Sequence, residues 1–216
     1  MVERVKRRRP YRSAVRAEQA QRTRARILEA ARALFLERGF SATTIAGVAH
    51  AAGVAPETVY ATYRSKAGLL EAVVLAAVLR DDERDEALER RWVREALELP
   101  DLRAQIGALA RHTAETVKLT SPIYAVIRAA GADVSELNEL QRRLQDYRFS
   151  GQAKFIATIA HEHSLRPGVT VEEAAATFSA LASPELHHIL TADRGWSQER
   201  YARWLERTAL ATLLEG

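Results

Sequence analysis

Apolar residues recur along this chain at helical spacing, with no stretch of strand-like alternation. Ile27, Ala31, Leu34 and Phe35 stand at i, i+4, i+7 and i+8. They form the buried stripe of a helix predicted from about Ala17 to Arg38, with Gly39 as its stop. Ile45, Val48, Ala49 and Ala52 mark a second, short helix. Thr44 is placed to cap its first N–H groups, and Gly53 follows where a helix end favours positive φ. Pro56 and Glu57 suit the first turn of a third helix, whose inner edge is Val59 and Tyr63. Glu57, Thr58, Tyr60, Ala61 and Thr62 are left outward. Helix, glycine turn and helix make a helix-turn-helix, whose second helix can enter a major groove. Periodicity alone fits an ordinary corner between two helices equally well.

The same spacing continues to the end of the chain. A fourth helix is predicted from about Ser65 to Leu79, then a charged one from Asp81 to Glu98 carrying Trp92 and Val93, then one from Leu102 to Lys118. Ser121-Pro122 is read as the start of a short helix followed by Gly131. A long helix from about Ser135 to His163 ends before Arg166-Pro167-Gly168. Val171 to Leu190, kinked near Pro184, and Ser197 to Leu214 complete the set. The fold class is all-α, with nine to ten helices. A hydrophobic content of 47% supports a substantial core.

Charge divides the chain where periodicity does not. Residues 1–66 hold 14 Lys and Arg against 5 Asp and Glu, and the remainder is net acidic. A basic head on an acidic body fits a polyanion bound at one end. Residues 1–16 read as a basic flexible arm, in which Arg7, Arg8 and Arg9 lie in the densest run. Such a run is either a solvated tail or, beside a helix-turn-helix, an arm that follows phosphates or enters a minor groove. Arg22, Arg24 and Arg26 contact phosphate or simply pair with Glu18 and Glu29. The chain has no Cys, which excludes disulfide and thiolate chemistry. The apolar run Leu69–Leu79 is interrupted by Glu71 and too short to span a bilayer. A soluble, cytoplasmic protein with no membrane partner is expected.

R-I-L-E-A-A-R-A-L-F-x-E-R-G-F (Arg26–Phe40), T-T-I-x-x-V-A-x-A-A-G-V (Thr43–Val54) and T-V-Y-x-x-Y-x-S-K-x-x-L (Thr58–Leu69) follow one another without a gap. Together they resemble the N-terminal domain of TetR-family transcriptional regulators. Weaker similarity to one branch of the family runs through L-R-P-G-V-T, S-P-E-L and G-W-S-x-E-R-Y-x-x-W-L, between Leu165 and Leu205. The resemblance implies a DNA-binding domain over 17–66 and a helical ligand-binding and dimerisation domain over 67–216. It implies DNA contacts from Thr43, Thr44, Pro56, Glu57, Thr58, Tyr60, Ala61, Thr62 and Lys66, with Arg7, Arg8 and Arg9 alongside. Thr44 would cap a helix and offer its hydroxyl to phosphate, Thr58 and Tyr60 would reach backbone or base edges, and Lys66 would clamp a phosphate beside the Ser65 cap. Ala55, Ala61 and Thr62 depart from the family pattern. Base reading then leans on thymine methyls and on Glu57, whose position at a helix N-terminus also has an ordinary electrostatic explanation.

Other chemistry finds little support. His161 and His163, like His187 and His188, lack the i, i+4 spacing of helical metal ligands, so no metal and no cofactor is expected. No Gly-rich phosphate loop or nucleophile turn is present, which argues against an enzyme. Trp92, His112, Tyr124, Arg128, Tyr147 and Phe155 are candidate walls of an effector pocket, a role carried mainly by the resemblance; as single residues they equally suit a core. Phe178, Leu181, Leu186, Leu190, Tyr201, Leu205, Ala209 and Leu213 suit either a helix–helix dimer interface or burial within one subunit. The resemblance thus implies a homodimeric repressor that binds a palindromic double-stranded operator and is released by a small-molecule effector. An activator, an effector-free DNA-binding protein of the same fold and an all-helical enzyme are the alternatives.

Overall fold

In a computed structural model, residues 9–79, 87–131 and 134–214 are described, with no account of the side chains of residues 9–15 and 17. Ten α-helical segments and no strand occur among the described residues. They are α1 (Arg9–Ala42), α2 (Ile45–Ala52), α3 (Pro56–Tyr63), α4 (Lys66–Leu79), α5 (Arg91–Leu97), α6 (Leu102–Gly131), α7 (Ser135–Glu162), α8 (Val171–Leu181), α9 (Pro184–His188) and α10 (Gln198–Leu213). None is long and apolar enough to cross a membrane. Two compact units divide between Val73 and Val74, inside α4 rather than at the expected 66/67 boundary.

In the first unit, the stripe of α1 buries Ile27, Ala31 and Phe35, and α2 buries Ile45, Val48, Ala49 and Ala52. Helical backbone begins at Arg9, within the stretch expected to be a flexible arm. Arg7 and Arg8 lie outside the described residues, as does the side chain of Arg9. Gly39 (φ 74°, ψ −179°) interrupts α1 in a region open to glycine and closed to other residues, so the predicted stop is real although helical residues follow it.

The second unit is organised around α6, which packs on α5, α7, α9 and α10, while α7 and α10 also pack on α8. Its core joins Ile106, Leu109, Phe155, Ile159, Phe178, Tyr201 and Leu205. Three expectations change here. The charged helix from Asp81 does not run to Glu98 as one piece. Ala87–Glu89 is a short 3-10 turn, Arg90 is extended (φ −64°, ψ 139°), and α5 starts only at Arg91; residues 80–86 lie outside the description.

Pro122 does not begin a new helix but sits inside α6. Proline lacks an N–H and removes one helical bond. The surrounding turns gain others: Thr116 and Thr120 donate to the carbonyls of His112 and Thr116, and Ser121 Oγ donates to Pro184 O across to α9. The expected kinked helix at Pro184 is instead two helices. Ser183 Oγ accepts from Leu186 N and caps α9, whose end widens into a π turn over Ile189–Asp193.

Candidate nucleic-acid interface and effector cavity

The helix-turn-helix is built from local chemistry. Thr44 Oγ1 accepts from Gly47 N at 3.0 Å and starts α2. Gly53 (φ 65°) ends it, with its N–H directed to the last-turn carbonyls of Ala49 and His50. Pro56 then opens α3 without a side-chain cap, because Ala55 has none to give. Val59 turns inward and is fully buried. Glu57, Thr58, Tyr60, Ala61 and Thr62 are all exposed, Tyr60 to 54%, and Pro56 is partly so. Thr62 Oγ1 donates to Thr58 O at 2.9 Å, leaving its lone pairs and methyl to face a ligand.

Two residues of the expected DNA-contact set have other duties. Thr43 is 1% exposed, and its hydroxyl donates to Gly39 O at 2.7 Å and Leu34 O at 3.1 Å. It ties off carbonyls at the end of α1 and offers nothing outward. Lys66 Nζ donates to Phe40 O at 2.7 Å and Ser41 O at 3.4 Å. It also stands 4.2 Å from the centroid of the Phe40 ring, and burial lowers its pKa from the ordinary lysine value. Its first duty is to fasten the start of α4 to the end of α1, rather than to clamp a phosphate. Arg22 pairs with Glu18 at 2.7 Å, the bland outcome of the two expected for it.

The α3–α4 junction holds a cation that pattern reading passed over. Arg64, exposed, has φ 65° and ψ −44°, and Ser65 N donates to Tyr63 O at 2.7 Å. This is a γ-turn of the strained hand. Gly68 follows, where an added Cβ would collide with the Tyr63 carbonyl. Ser65 Oγ accepts from Gly68 N at 3.0 Å and begins α4 as expected. Burial raises the pKa of the neighbouring Tyr63 phenol, partly offset by Arg24.

The second unit encloses a cavity of about 290 Å³. Trp92, His112, Tyr124 and Tyr147 line it, four of the six residues expected to do so. The rings of Trp92 and His112 stack 3.7 Å apart. Phe155 is fully buried behind Trp92, at 5.9 Å, as part of the core. Arg128 lies outside the wall and pairs with Glu185 at 3.2 Å.

The sequence reading missed Arg90 and Arg148. Arg90 Nη2 donates to Tyr147 Oη at 2.6 Å, and Arg148 Nη1 donates to Ser179 O at 2.8 Å and Gln152 Oε1 at 3.3 Å. Burial lowers the Arg148 pKa, with Tyr124, Glu185 and Tyr201 opposing, and burial pushes the Tyr124 phenol up to about 12. A signal for Arg148 was available: it continues the apolar stripe of Leu137, Leu140 and Leu144 along α7, an uncommon place for a solvated cation.

The residues assigned to an interface divide. Phe178, Tyr201, Leu205, Ala209 and Leu213 are buried inside the second unit, so their role is the core of one subunit. Leu181, Leu186 and Leu190 are only partly buried, Ile189 is 45% exposed, and α8 leaves Ala176, Thr177 and Ala180 outside. No group of three or more His, Asp or Glu is placed to hold a metal among the described residues.

Comparison with known proteins gives this geometry its relatives. The model of bacterial regulatory proteins of the tetR family matches residues 27–73, from the stripe of α1 into α4. Over those residues the chain carries the N-terminal domain of tetR-family regulatory proteins. The chain is 44% identical over 57 residues to the HTH-type transcriptional regulator TtgR of Pseudomonas putida. The match covers 26% of this chain and 27% of TtgR, so it spans about a quarter of the curated relative. NalD of Pseudomonas aeruginosa, the secondary repressor of the MexAB-OprM multidrug efflux pump, shares the fold with a TM-score of 0.68 and 22% identity over 91% of this chain and 98% of its own. FadR of Bacillus subtilis, solved with stearoyl-CoA, shares it with a TM-score of 0.64 and 14% identity over 87% and 98%.

Proposed function

We propose that this chain is a TetR-family, ligand-responsive transcriptional repressor that binds a palindromic operator as a homodimer. The observation that carries the reading is the outward face of α3, where Glu57, Thr58, Tyr60, Ala61 and Thr62 are exposed on a helix seated by Val59. Tyr60 and Thr58 supply hydroxyls to phosphate or base edges, and Ala61 and the Thr62 methyl suit thymine methyls. Thr44, Pro56, Arg64 and the basic residues Arg7, Arg8 and Arg9 complete the contact set. One such helix reads few base pairs. A two-fold pair about 34 Å apart reads a palindrome from one face of the duplex.

The dimer is assigned to the surface that includes Leu181, Leu186, Leu190 and Ile189, where apolar area remains uncovered within one subunit. The cavity of the second unit takes the effector. Val74, Leu75 and Val78 of α4 line it, and α4 begins at Lys66 in the first unit, so one helix belongs to both. Effector binding favours a dimer in which α4 holds the reading helices at the wrong spacing, and the operator is released. Repression is supported by the role named for NalD, and a ligand in the helical domain by the stearoyl-CoA complex of FadR. The protein acts in the bacterial cytoplasm, on the nucleoid when bound.

The test is selection of bound duplexes from a random pool, followed by titration of the selected duplex at rising salt. A palindromic consensus, two chains per duplex and a steep salt dependence are expected. No affinity for any duplex at low salt overturns the DNA-binding reading. Affinity without sequence preference overturns the operator.

A further inference from the structure

Two buried arginines on the cavity wall of the second unit have only neutral hydrogen-bond partners. Arg90 and Arg148 line it, and no Asp or Glu does among the described residues. Arg90 is 8% exposed; its Nη2 meets the neutral Tyr147 hydroxyl, and its buried Nε has no acceptor. Arg148 donates only to the neutral oxygens of Gln152 and Ser179, and its Nε also lacks an acceptor. Glu185 acts on Arg148, but its carboxylate is 3.2 Å from Arg128. Trp92 Nε1 is a third buried donor on these walls without an acceptor.

Guanidinium groups removed from water need a counter-charge, and buried N–H groups need acceptors. An anion supplies both. Guanidinium also matches a carboxylate in shape, donating two parallel bonds to its two oxygens. The lining also has an aliphatic part, with Val74, Leu75, Val78, Val93, Leu109 and Val117. The volume of about 290 Å³ corresponds to the share of about ten water molecules, room for one ring and a short acid.

We propose that the effector is a small carboxylic acid with an apolar body, its carboxylate held by Arg90 and Arg148 and its body laid against the aliphatic wall. The inference rests on the reading of this cavity as the effector site. It deepens that reading from a place to a chemical class. Binding brings a carboxylate to two buried guanidiniums in one step and links the α4 end of the cavity to α7.

Calorimetric titration of the whole chain at pH 7 with 3-phenylpropionate, 3-phenylpropionamide and 3-phenylpropylamine tests it. The acid is expected to bind at least about tenfold more tightly than the amide, and the amine not at all. Arg90→Met and Arg148→Met should each remove most of the acid's advantage over the amide, and Arg90→Lys should keep part of it. Because Arg148 also ties α7 to Ser179, thermal melts accompany each variant, and the three-compound comparison on the unaltered chain decides without them. An amide or amine that binds as well as the acid overturns the anionic class while leaving the cavity an effector site. No binding by any of the three overturns both.

Discussion

Lys66 Nζ lies 2.7 Å from the carbonyl oxygen of Phe40 and 4.2 Å from the centroid of the same residue's ring. The lysine expected from the family resemblance to clamp a phosphate is therefore a bolt between the end of α1 and the start of α4. Lys66→Met should lower the stability of the first unit by about 1–3 kcal/mol, the worth of a hydrogen bond from a charged donor. The slope of log affinity for DNA against log salt should stay unchanged. A slope shallower by about one would return Lys66 to the phosphate contacts.

Gly68 is needed for a close approach. A Cβ there would strike the Tyr63 carbonyl, which is backbone and has little room to yield. Gly68→Ala should cost about 1–3 kcal/mol, read as a lower denaturant midpoint with an unchanged m-value. The same change raises helix propensity, so an unaltered or higher midpoint would show that the junction can open.

Thr43 and Thr44 are neighbours with opposite duties. Thr43→Val keeps the shape but removes the donor to Leu34 and Gly39, and should destabilise by about 1–3 kcal/mol. Thr44→Ala removes the α2 cap and should cost about 1 kcal/mol. Under conditions where both variants are fully folded, only Thr44→Ala should weaken DNA binding. Equal losses of affinity would bring Thr43 back into the interface.

Tyr60 is exposed and its side chain is not part of the core. Tyr60→Ala should shift stability by no more than about 0.5 kcal/mol. Fluorescence anisotropy with operator DNA should nevertheless show a loss of about tenfold or more. Near-normal binding by this variant would move the reading face elsewhere on α3.

His187 supplies a pH dependence. Its ring is buried, its Nε2 meets Gln198 Oε1 at 3.0 Å, and it stands edge-on to Tyr201 at 4.7 Å. Burial lowers its pKa from the ordinary 6.5, the Gln198 bond opposes this, and His188 adds to it. The unfolded chain therefore binds a proton that the folded chain resists. This contribution is complete above pH 6.5 and is lost as pH falls from there through the folded value. Thermal melts between pH 8 and pH 5 should show the decline, and His187→Gln should flatten it. An unchanged slope in that variant would assign the decline to other groups.

Much of the first unit was legible because its signals are local. Thr44, Gly53, Pro56 and Ser65 each act within four residues of their own position, and the structure finds each where the pattern put it. Thr43 misled because one of its acceptors, Leu34, is nine residues away and across a break in α1. Pro122 misled for a related reason: its helix carries on through the Ser121 bond to α9, a partner 63 residues distant. Five supposed interface residues repeat at helical spacing, and that periodicity marks a buried face without saying which chain buries it. Arg90 escaped because arginine is abundant here and usually solvated, and only three-dimensional burial sets it apart, whereas Arg148 was open to detection from the α7 stripe it continues.

Only Arg64 and Ser65 stand between α3 and α4, and a γ-turn already draws them tight. There is no slack in that splice. A rotation of the first turns of α4 would therefore be expected to carry α3 with it, as a crank turns its shaft. Two glycines inserted after Arg64 would leave both helices in the sequence and uncouple them mechanically.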